Sequence, residues 1–375
     1  MAAPSKAPQV TVVGYPFLPI GMGEHMRSAV RAMRAVGLDP RLVDVADFPG
    51  PPDADLERDF AGAVTEGLGE LNVFCVNGDE CQRVIDRLGR DAFAAARNVV
   101  YPAWELSRYP AEWARVLDQF DEHWAPSVFV RDAMSEALQR PVVDIPLPVE
   151  LNLSSFLGRR RFGIPEDAFV VLFSFDFSSY AERKNPDAVL DAYERVAARR
   201  PAARLHCVIK SRGRAANAAV RDAFGARVAA LGSRVQVIDG DLSDNEIKNL
   251  IRACDVFVSL HRSEGFGRGM AEAMVLGRPA IATGYSGNLD FMTPDTGLLV
   301  DYELVPVAPG AYPFGEGQVW ADASVEHAAT LIEQLLDDPA AGRALGARAR
   351  RRIRTHFSYR AIGLRYLERL ERLGA

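Results

Sequence analysis

The stretch Asp255–Met274, "DVFVSLHRSEGFGRGMAEAM", decides how the chain folds. Its first seven residues are an apolar, β-branched run of strand length. Gly265-Phe266-Gly267 ends that run, and the two glycines let the backbone turn tightly and approach a ligand. A helix follows, starting near Arg268 to Met270, with Ala271, Met274 and Val275 on its packing side. Strand, glycine turn and helix together form one step of a parallel α/β sheet, whose ligands sit at strand C-terminal ends. The helix start supplies N–H groups and a dipole suited to a phosphate. Glu264 stands before the turn and Glu272 about one turn into the helix, eight positions apart. A carboxylate accepts sugar hydroxyls strongly, so Glu264 is placed to hold a sugar beside the phosphate and Glu272 to look back to a ribose. The bland alternative makes Glu264 a helix cap and Glu272 an exposed charge. The joint occurrence of all four features favours the site.

Outward from this stretch, strand-like runs alternate with helical ones. QVTVVGY, RLVDV, LNVFCVNG, NVVYPAWEL, DEHWAPS and PVVDIPLPVE carry the first half. After the proline-bearing linker DIPLPVELNL the pattern restarts with AFVVLFSFDF, RLHCVIKS, RVQVIDG, DVFVSLH, PAIATGY and GLLVD. Such alternation predicts an α/β protein of two Rossmann-like domains facing each other across a cleft. The boundaries fall at residues 1–149 and 150–357, with a C-terminal helix at about 358–375 packing back on the first domain. In that tail Leu364, Leu367, Leu370 and Leu373 recur every three residues, predicting a broad apolar stripe on a surface helix. Gly37 fits a helix C-cap, and Ser243 with Glu246 a capping box.

Other candidates lie near strand ends. Arg183 and Lys184 follow AFVVLFSFDF, just before Asn185-Pro186 opens a helix; paired cations there suit a leaving diphosphate and replace a metal ion. Lys210 and Arg212 end another strand. Gly21 and Gly23, in PIGMGE, fall between the first strand and a helix reading from Glu24; they suit close backbone approach to a phosphate or acceptor, or a plain turn. Trp104 and Glu105 end the fourth strand. The ring suits stacking on a sugar, and the carboxylate suits taking or positioning an acceptor hydroxyl proton. A buried Trp beside a surface Glu is the plain alternative.

Composition narrows the class. The 375 residues are 48% hydrophobic and 25% charged, and no apolar run reaches membrane-spanning length. The N-terminus MAAPSKAPQV lacks a signal-peptide core, predicting a cytoplasmic protein. Cys75, Cys81, Cys207 and Cys254 lack metal spacing, and the six histidines form no HxxxH pair, so neither a disulfide framework nor a protein-built metal site is expected. The net charge of −6 disfavours nucleic acid as a partner.

Glu-Gly-Phe-Gly, a second glutamate eight positions after the first, and the following AMVLGRPAIATGYSGNLDFM resemble the retaining glycosyltransferases of family 4, which have the GT-B fold. The similarity is strongest from Asp239 to Leu304 and extends to FSFDFSSYAERKNPDAVLDAY. It departs where such enzymes place Gly-Arg after the first strand of the second domain: here Asp176-Phe177 stand, leaving more to Arg183 and Lys184. The resemblance implies hexose transfer with retention from a nucleotide diphosphate sugar to a hydroxyl acceptor, such as a glycan, a lipid-linked glycan or a natural product. It implies no obligatory cofactor or metal, with Lys184, Arg183, Glu264 and Glu105 in the chemistry. Gly21, Gly23, Gly265, Phe266, Gly267, Arg268, Glu272 and Lys210 would hold the donor. Polysaccharide assembly is a fold-level expectation. Many such enzymes dock on acidic membranes through a basic N-terminal half. Here residues 1–150 carry 14 Lys and Arg against 23 Asp and Glu, a net −9, which argues against strong membrane association. Two alternatives stay open: a non-catalytic nucleotide-sugar-binding partner, and a sugar-nucleotide epimerase of the same fold.

Overall fold

A computed structural model describes residues 8–47, 54–213 and 218–374. Most of the N-terminal stretch read for a signal peptide, residues 1–7, lies outside the described residues. The chain divides into two compact units, Met1–Val149 with Thr355–Ala375, and Glu150–Arg354.

Among the described residues, the first unit holds a six-stranded parallel sheet: β1 (Val10–Gly14), β2 (Arg41–Asp44), β3 (Leu71–Phe74), β4 (Arg97–Val100), β5 (Glu122–Ala125) and β6 (Val142–Asp144). The strand order is β2-β1-β3-β4-β5-β6. β1 and β3 are buried along their whole length, as expected of parallel strands covered on both faces. The first helix, Gly21–Arg34, buries Met22, Met26, Val30 and Met33, a spacing that keeps one face inward. It starts three residues earlier than the sequence pattern suggests, so Gly21 and Gly23 belong to its first turn. Gly37 follows it at φ +87, with the Leu38 N–H returning to the Met33 carbonyl, a left-handed helix stop.

The C-terminal helix, Tyr359–Leu373, completes this unit. The tail is two helices rather than one: Pro339–His356 ends, and Ser358 caps the next by accepting from the Ala361 N–H. The apolar stripe also differs from the leucine repeat. Ile362, Tyr366 and Leu370 are buried, whereas Leu364 is 49% exposed. A four-residue step tracks one face of a 3.6-residue helix, and a three-residue step walks off it. Tyr366 stacks on Trp124 at 5.3 Å, and Arg369 pairs with Glu122 of β5. Gly363 permits the close approach of this helix to the first one, because a Cβ there would lie 2.2 Å from the Ala32 carbonyl oxygen.

The second unit, again among the described residues, has six parallel strands: β7 (Phe169–Asp176), β8 (Leu205–Arg212), β9 (Val235–Asp239), β10 (Val256–Ser259), β11 (Ala280–Thr283) and β12 (Leu298–Val300). They run in the order β12-β11-β10-β7-β8-β9. Phe173, Phe175, Cys207, Ile209, Val258 and Ile281 meet Val189 and Tyr193 of the helix Pro186–Arg199, and Ala328 and Ile332 of the helix Val325–Asp337. The capping box at Ser243 and Glu246 is present. An antiparallel hairpin, β13 (Tyr302–Pro306) with β14 (Val319–Ala323), is an addition the sequence reading did not contain. Strand order reverses between β7 and β10, which are neighbours although β8 and β9 intervene in sequence. The C-terminal ends of β7 and β10 therefore flank a crevice of the kind that takes ligands in open α/β sheets. Among the described residues no helix is long and apolar enough to cross a membrane.

Candidate functional site

The chain leaves β7 through a turn at Phe177–Ser179 and enters a one-turn helix, Ala181–Lys184, before Asn185. Two non-glycine residues with positive φ bracket that helix, Tyr180 at 61° and Asn185 at 52°. Each such residue costs about 1–3 kcal/mol and persists only where surroundings hold it. Asn tolerates this conformation, and the Asn185 amide donates to the Leu260 carbonyl at 3.0 Å. The device presents Arg183 and Lys184 toward the end of β10.

The chain leaves β10 at His261 and reaches Glu264. Lys184 Nζ donates to Glu264 Oε1 at 2.5 Å, and Arg183 Nη1 lies 3.1 Å from Oε2. The three residues form one cluster, with one surplus positive charge. Arg183 is 3% exposed. Its Nη1 also donates to the Ser263 carbonyl at 2.8 Å, and Nη2 to the Ser179 carbonyl at 3.3 Å. Arg183 thus orients Glu264, whereas Lys184 keeps partial exposure. Burial would raise the Glu264 pKa, but the charges of Lys184 and Arg183 outweigh it and bring it down to about 2. The carboxylate is ionised at neutral pH and retains acceptor lone pairs.

The loop after β11 fixes Glu264 from the other side. Glu264 N–H donates to Ser286 Oγ at 2.9 Å, and Gly287 N–H donates to the Glu264 carbonyl at 2.9 Å. A Cβ on Gly287 would lie 2.2 Å from the Gly265 oxygen, so only glycine fits. His261 ties the same loops together. Its Nε2 faces Asn288 Oδ1 at 3.1 Å and its Nδ1 faces Ser259 Oγ at 3.1 Å. The Asn288 amide nitrogen is given to the Thr283 carbonyl. Oδ1 is therefore the acceptor, and Nε2 carries the proton. Burial pushes the His261 pKa down, keeping the ring neutral. These residues, Ser286 and His261 among them, are absent from the sequence-derived set; SGN in "GYSGN" marks a turn but not its partner.

Gly267, at φ +94, then starts the helix Arg268–Val275, with Met270, Ala271, Met274 and Val275 buried and Phe266 packed on Phe291. Glu272 is half-buried and faces Arg268 at 3.8 Å. A cavity of about 750 Å³ adjoins the short helix on its Glu182 and Asn185 side, with Phe177, Phe224, Arg262 and Trp320 in its wall; the Lys184–Glu264 pair does not line it.

Other candidates have other placements. Lys210 is 4% exposed, and its ammonium donates to the Ser211 carbonyl at 2.8 Å and the Gly240 carbonyl at 2.5 Å. Burial, then the neighbouring Arg212, lowers its pKa. It staples β8 to the loop after β9. Arg212 pairs with Asp176 at 2.9 Å. In the first unit, Gly21 is exposed, whereas a Cβ on Gly23 would lie 2.2 Å from the Leu18 carbonyl oxygen; that glycine lets the preceding loop fold over the helix start. Trp104 is 2% exposed, set edge-on against Tyr109 and Trp113, with its indole N–H given to the Arg108 carbonyl at 3.0 Å. Its ring is interior and anchors the loop bearing half-buried Glu105. Among the described residues no three His, Cys, Asp or Glu side chains gather as a metal site would require.

Residues 168–307 match the family model described as Glycosyl transferases group 1. Mannosylfructose-phosphate synthase of Agrobacterium fabrum is 30% identical over 131 residues, 34% of this chain and 28% of that protein. The GDP-mannose-dependent monoacylated alpha-(1-6)-phosphatidylinositol monomannoside mannosyltransferase of Corynebacterium glutamicum is 27% identical over 214 residues, 55% of this chain and 48% of that protein. The matches span less than half the length of these two relatives. Among solved structures, Anabaena HepE in complex with UDP and glucose superposes with a TM-score of 0.69 at 15% identity, covering 97% of this chain and 99% of that one. Sucrose-phosphate synthase from Thermosynechococcus elongatus gives 0.70 at 19% identity, covering 98% and 99%. The fold is that of the GT-B glycosyltransferases.

Proposed function

We propose that this chain is a nucleotide-sugar-dependent glycosyltransferase that moves a hexose, with retention, to a hydroxyl acceptor. One observation carries the reading: an ionised carboxylate and two cations meet at the reversal point of the second sheet, directly before a glycine turn and a helix N-terminus. The family match over residues 168–307, which spans this cluster, supports it.

In this mechanism Lys184 and the start of the helix Arg268–Val275 stabilise charge on the departing nucleoside diphosphate, contacts that strengthen as the bond breaks. Glu264, held by Arg183 and Ser286, accepts hydroxyls of the donor sugar. Glu272 takes the ribose. Departure and attack on one face of the sugar give retention without an enzyme nucleophile, and the β-phosphate takes the incoming proton. Glu105 positions the acceptor hydroxyl. Because protein cations neutralise the leaving group, the scheme needs no metal. The four free, buried cysteines fit a reducing, cytoplasmic setting.

The test incubates the protein with UDP-, GDP- and dTDP-hexoses and simple hydroxyl acceptors, with and without EDTA. Release of nucleoside diphosphate and the product's anomeric configuration are followed by NMR. We expect turnover that survives chelation and an unchanged anomer. An inverted product removes the retaining mechanism, loss of turnover with EDTA removes metal independence, and donor binding without transfer favours the non-catalytic partner.

A further inference from the structure

The hairpin β13–β14 is tied at several points to Arg262, the residue bonded to the Arg183 backbone. Ala321 N–H donates to the Arg262 carbonyl at 2.9 Å, and Asp322 pairs with the Arg262 guanidinium at 2.7 Å, which also lies over the Trp320 ring. Arg262 N–H in turn donates to the Arg183 carbonyl at 2.8 Å. The loop between the two strands, residues 307–318, is closed on itself. Val307 N–H donates to the Gln318 carbonyl, Gln318 N–H to Gly315, and the Gln318 side chain to the Phe314 carbonyl at 2.8 Å. Gly315 has Val307 packed where a Cβ would stand. This loop carries Tyr312, whose ring lies 5.8 Å from the Arg183 guanidinium carbon and 4.8 Å from the Tyr180 ring, edge-on.

We propose that Tyr312 is a positioning residue for the diphosphate end of the site, acting through Arg183 and Tyr180 on Lys184. This rests on the glycosyltransferase reading above. Glu264, Ser263 and Ser179 hold the two terminal nitrogens of the Arg183 guanidinium, and the group lies over the Tyr312 ring. Of the two left-handed residues bracketing the short helix, Asn185 is held by its bond to Leu260; the Tyr180 carbonyl accepts from the Arg183 and Lys184 N–H groups at 3.1 and 3.2 Å, and its side chain packs on the Tyr312 ring. Without that ring the turn Phe177–Tyr180 relaxes toward negative φ, and the one-turn helix carrying Lys184 turns with it. A displacement near 1 Å at an electrostatic contact is enough to weaken it strongly. An aromatic face, not a hydroxyl, is what this role requires.

The test measures binding of UDP, UMP, GDP and GMP by titration calorimetry to wild type, Tyr312→Ala, Tyr312→Phe and Lys184→Ala. Tyr312→Ala is expected to weaken whichever diphosphate binds the wild type about tenfold, and its monophosphate less than twofold. Tyr312→Phe keeps both within twofold. Unchanged diphosphate affinity in Tyr312→Ala overturns the proposal. So does equal loss of mono- and diphosphate, the mark of a loosened fold, or a Phe variant as weak as the Ala one. Wild-type binding of none of the four, or a Lys184→Ala variant that binds the diphosphate as wild type does, overturns the glycosyltransferase reading itself and this role with it.

Discussion

The two sheets reverse in the same manner, one beside β1 and the other beside β7, yet they place different chemistry at the reversal. In the second unit two cations converge on Glu264. In the first, the Tyr15 hydroxyl at the end of β1 donates to Glu80 Oε1 at 2.5 Å, with Arg83 3.6 Å from the same oxygen. Burial, then that hydrogen bond and the Glu80 charge, raises the Tyr15 pKa, so this phenol stays protonated. One reversal point carries surplus positive charge suited to a diphosphate, and the other a hydroxyl on a carboxylate. Parallel topology fixes where a ligand sits; the side chains delivered there decide which ligand.

The sharpest way to break this contrast is Arg183→Ala. It leaves Glu264 buried with one cation fewer, and we expect a loss of about 3 kcal/mol or more in urea-unfolding free energy. Equal stability would mean that Arg183 does not hold the carboxylate. Lys184→Ala is expected to lower nucleoside diphosphate release about a hundredfold with the fold intact, and Glu264→Ala as much, with a loss of stability comparable to that of Arg183→Ala, whereas Glu80→Gln changes nucleotide affinity less than twofold. A large effect of Glu80→Gln on UDP or GDP titrations would erase the distinction between the reversal points. Gly363→Ala should cost about 1–3 kcal/mol, because the new methyl meets the Ala32 carbonyl; nucleotide affinity should be unmoved. In the pH dependence of unfolding, Glu264 stays ionised in the folded state down to about 2, against an ordinary value of 4.5. Its contribution is therefore full above pH 4.5 and lost as pH falls from there toward 2. Glu264→Gln should flatten that acid limb in a series of thermal melts, and an unaltered limb would disprove the assignment. Smallest of all, Leu364→Gln should change stability by no more than about 0.5 kcal/mol, although it belongs to the same leucine repeat as buried Leu370.

Most of the twelve parallel strands are legible in the sequence because they are short apolar runs between turn signals, a pattern set by burial on both faces for central strands such as β1, β3 and β10. The hairpin is not. β13 is mostly exposed, its loop contains prolines and glycines, and its partner β14 owes its place to Arg262, nearly sixty residues away. At the site, Glu264 and Lys184 are named by local motif and resemblance. The inward turn of Arg183 is invisible locally, because it depends on carbonyls at Ser179 and Ser263 brought together only when β7 and β10 pair. Trp104 misleads for a similar reason: an aromatic at a strand end looks alike from the sequence whether it faces solvent or Tyr109 and Trp113.

The C-terminal helix gives the chain a clock. The first sheet emerges from the ribosome with β6 ending at Asp144, but Ile362, Tyr366 and Leu370 complete its core. At about 5–20 residues per second, translation of the intervening two hundred or so takes on the order of tens of seconds. Through that interval the helix Gly21–Arg34 lacks the neighbour that Gly363 admits against it, and before it ends every residue of the second sheet has been made. Although synthesised second, the sheet bearing Lys184 and Glu264 has its complete sequence available first.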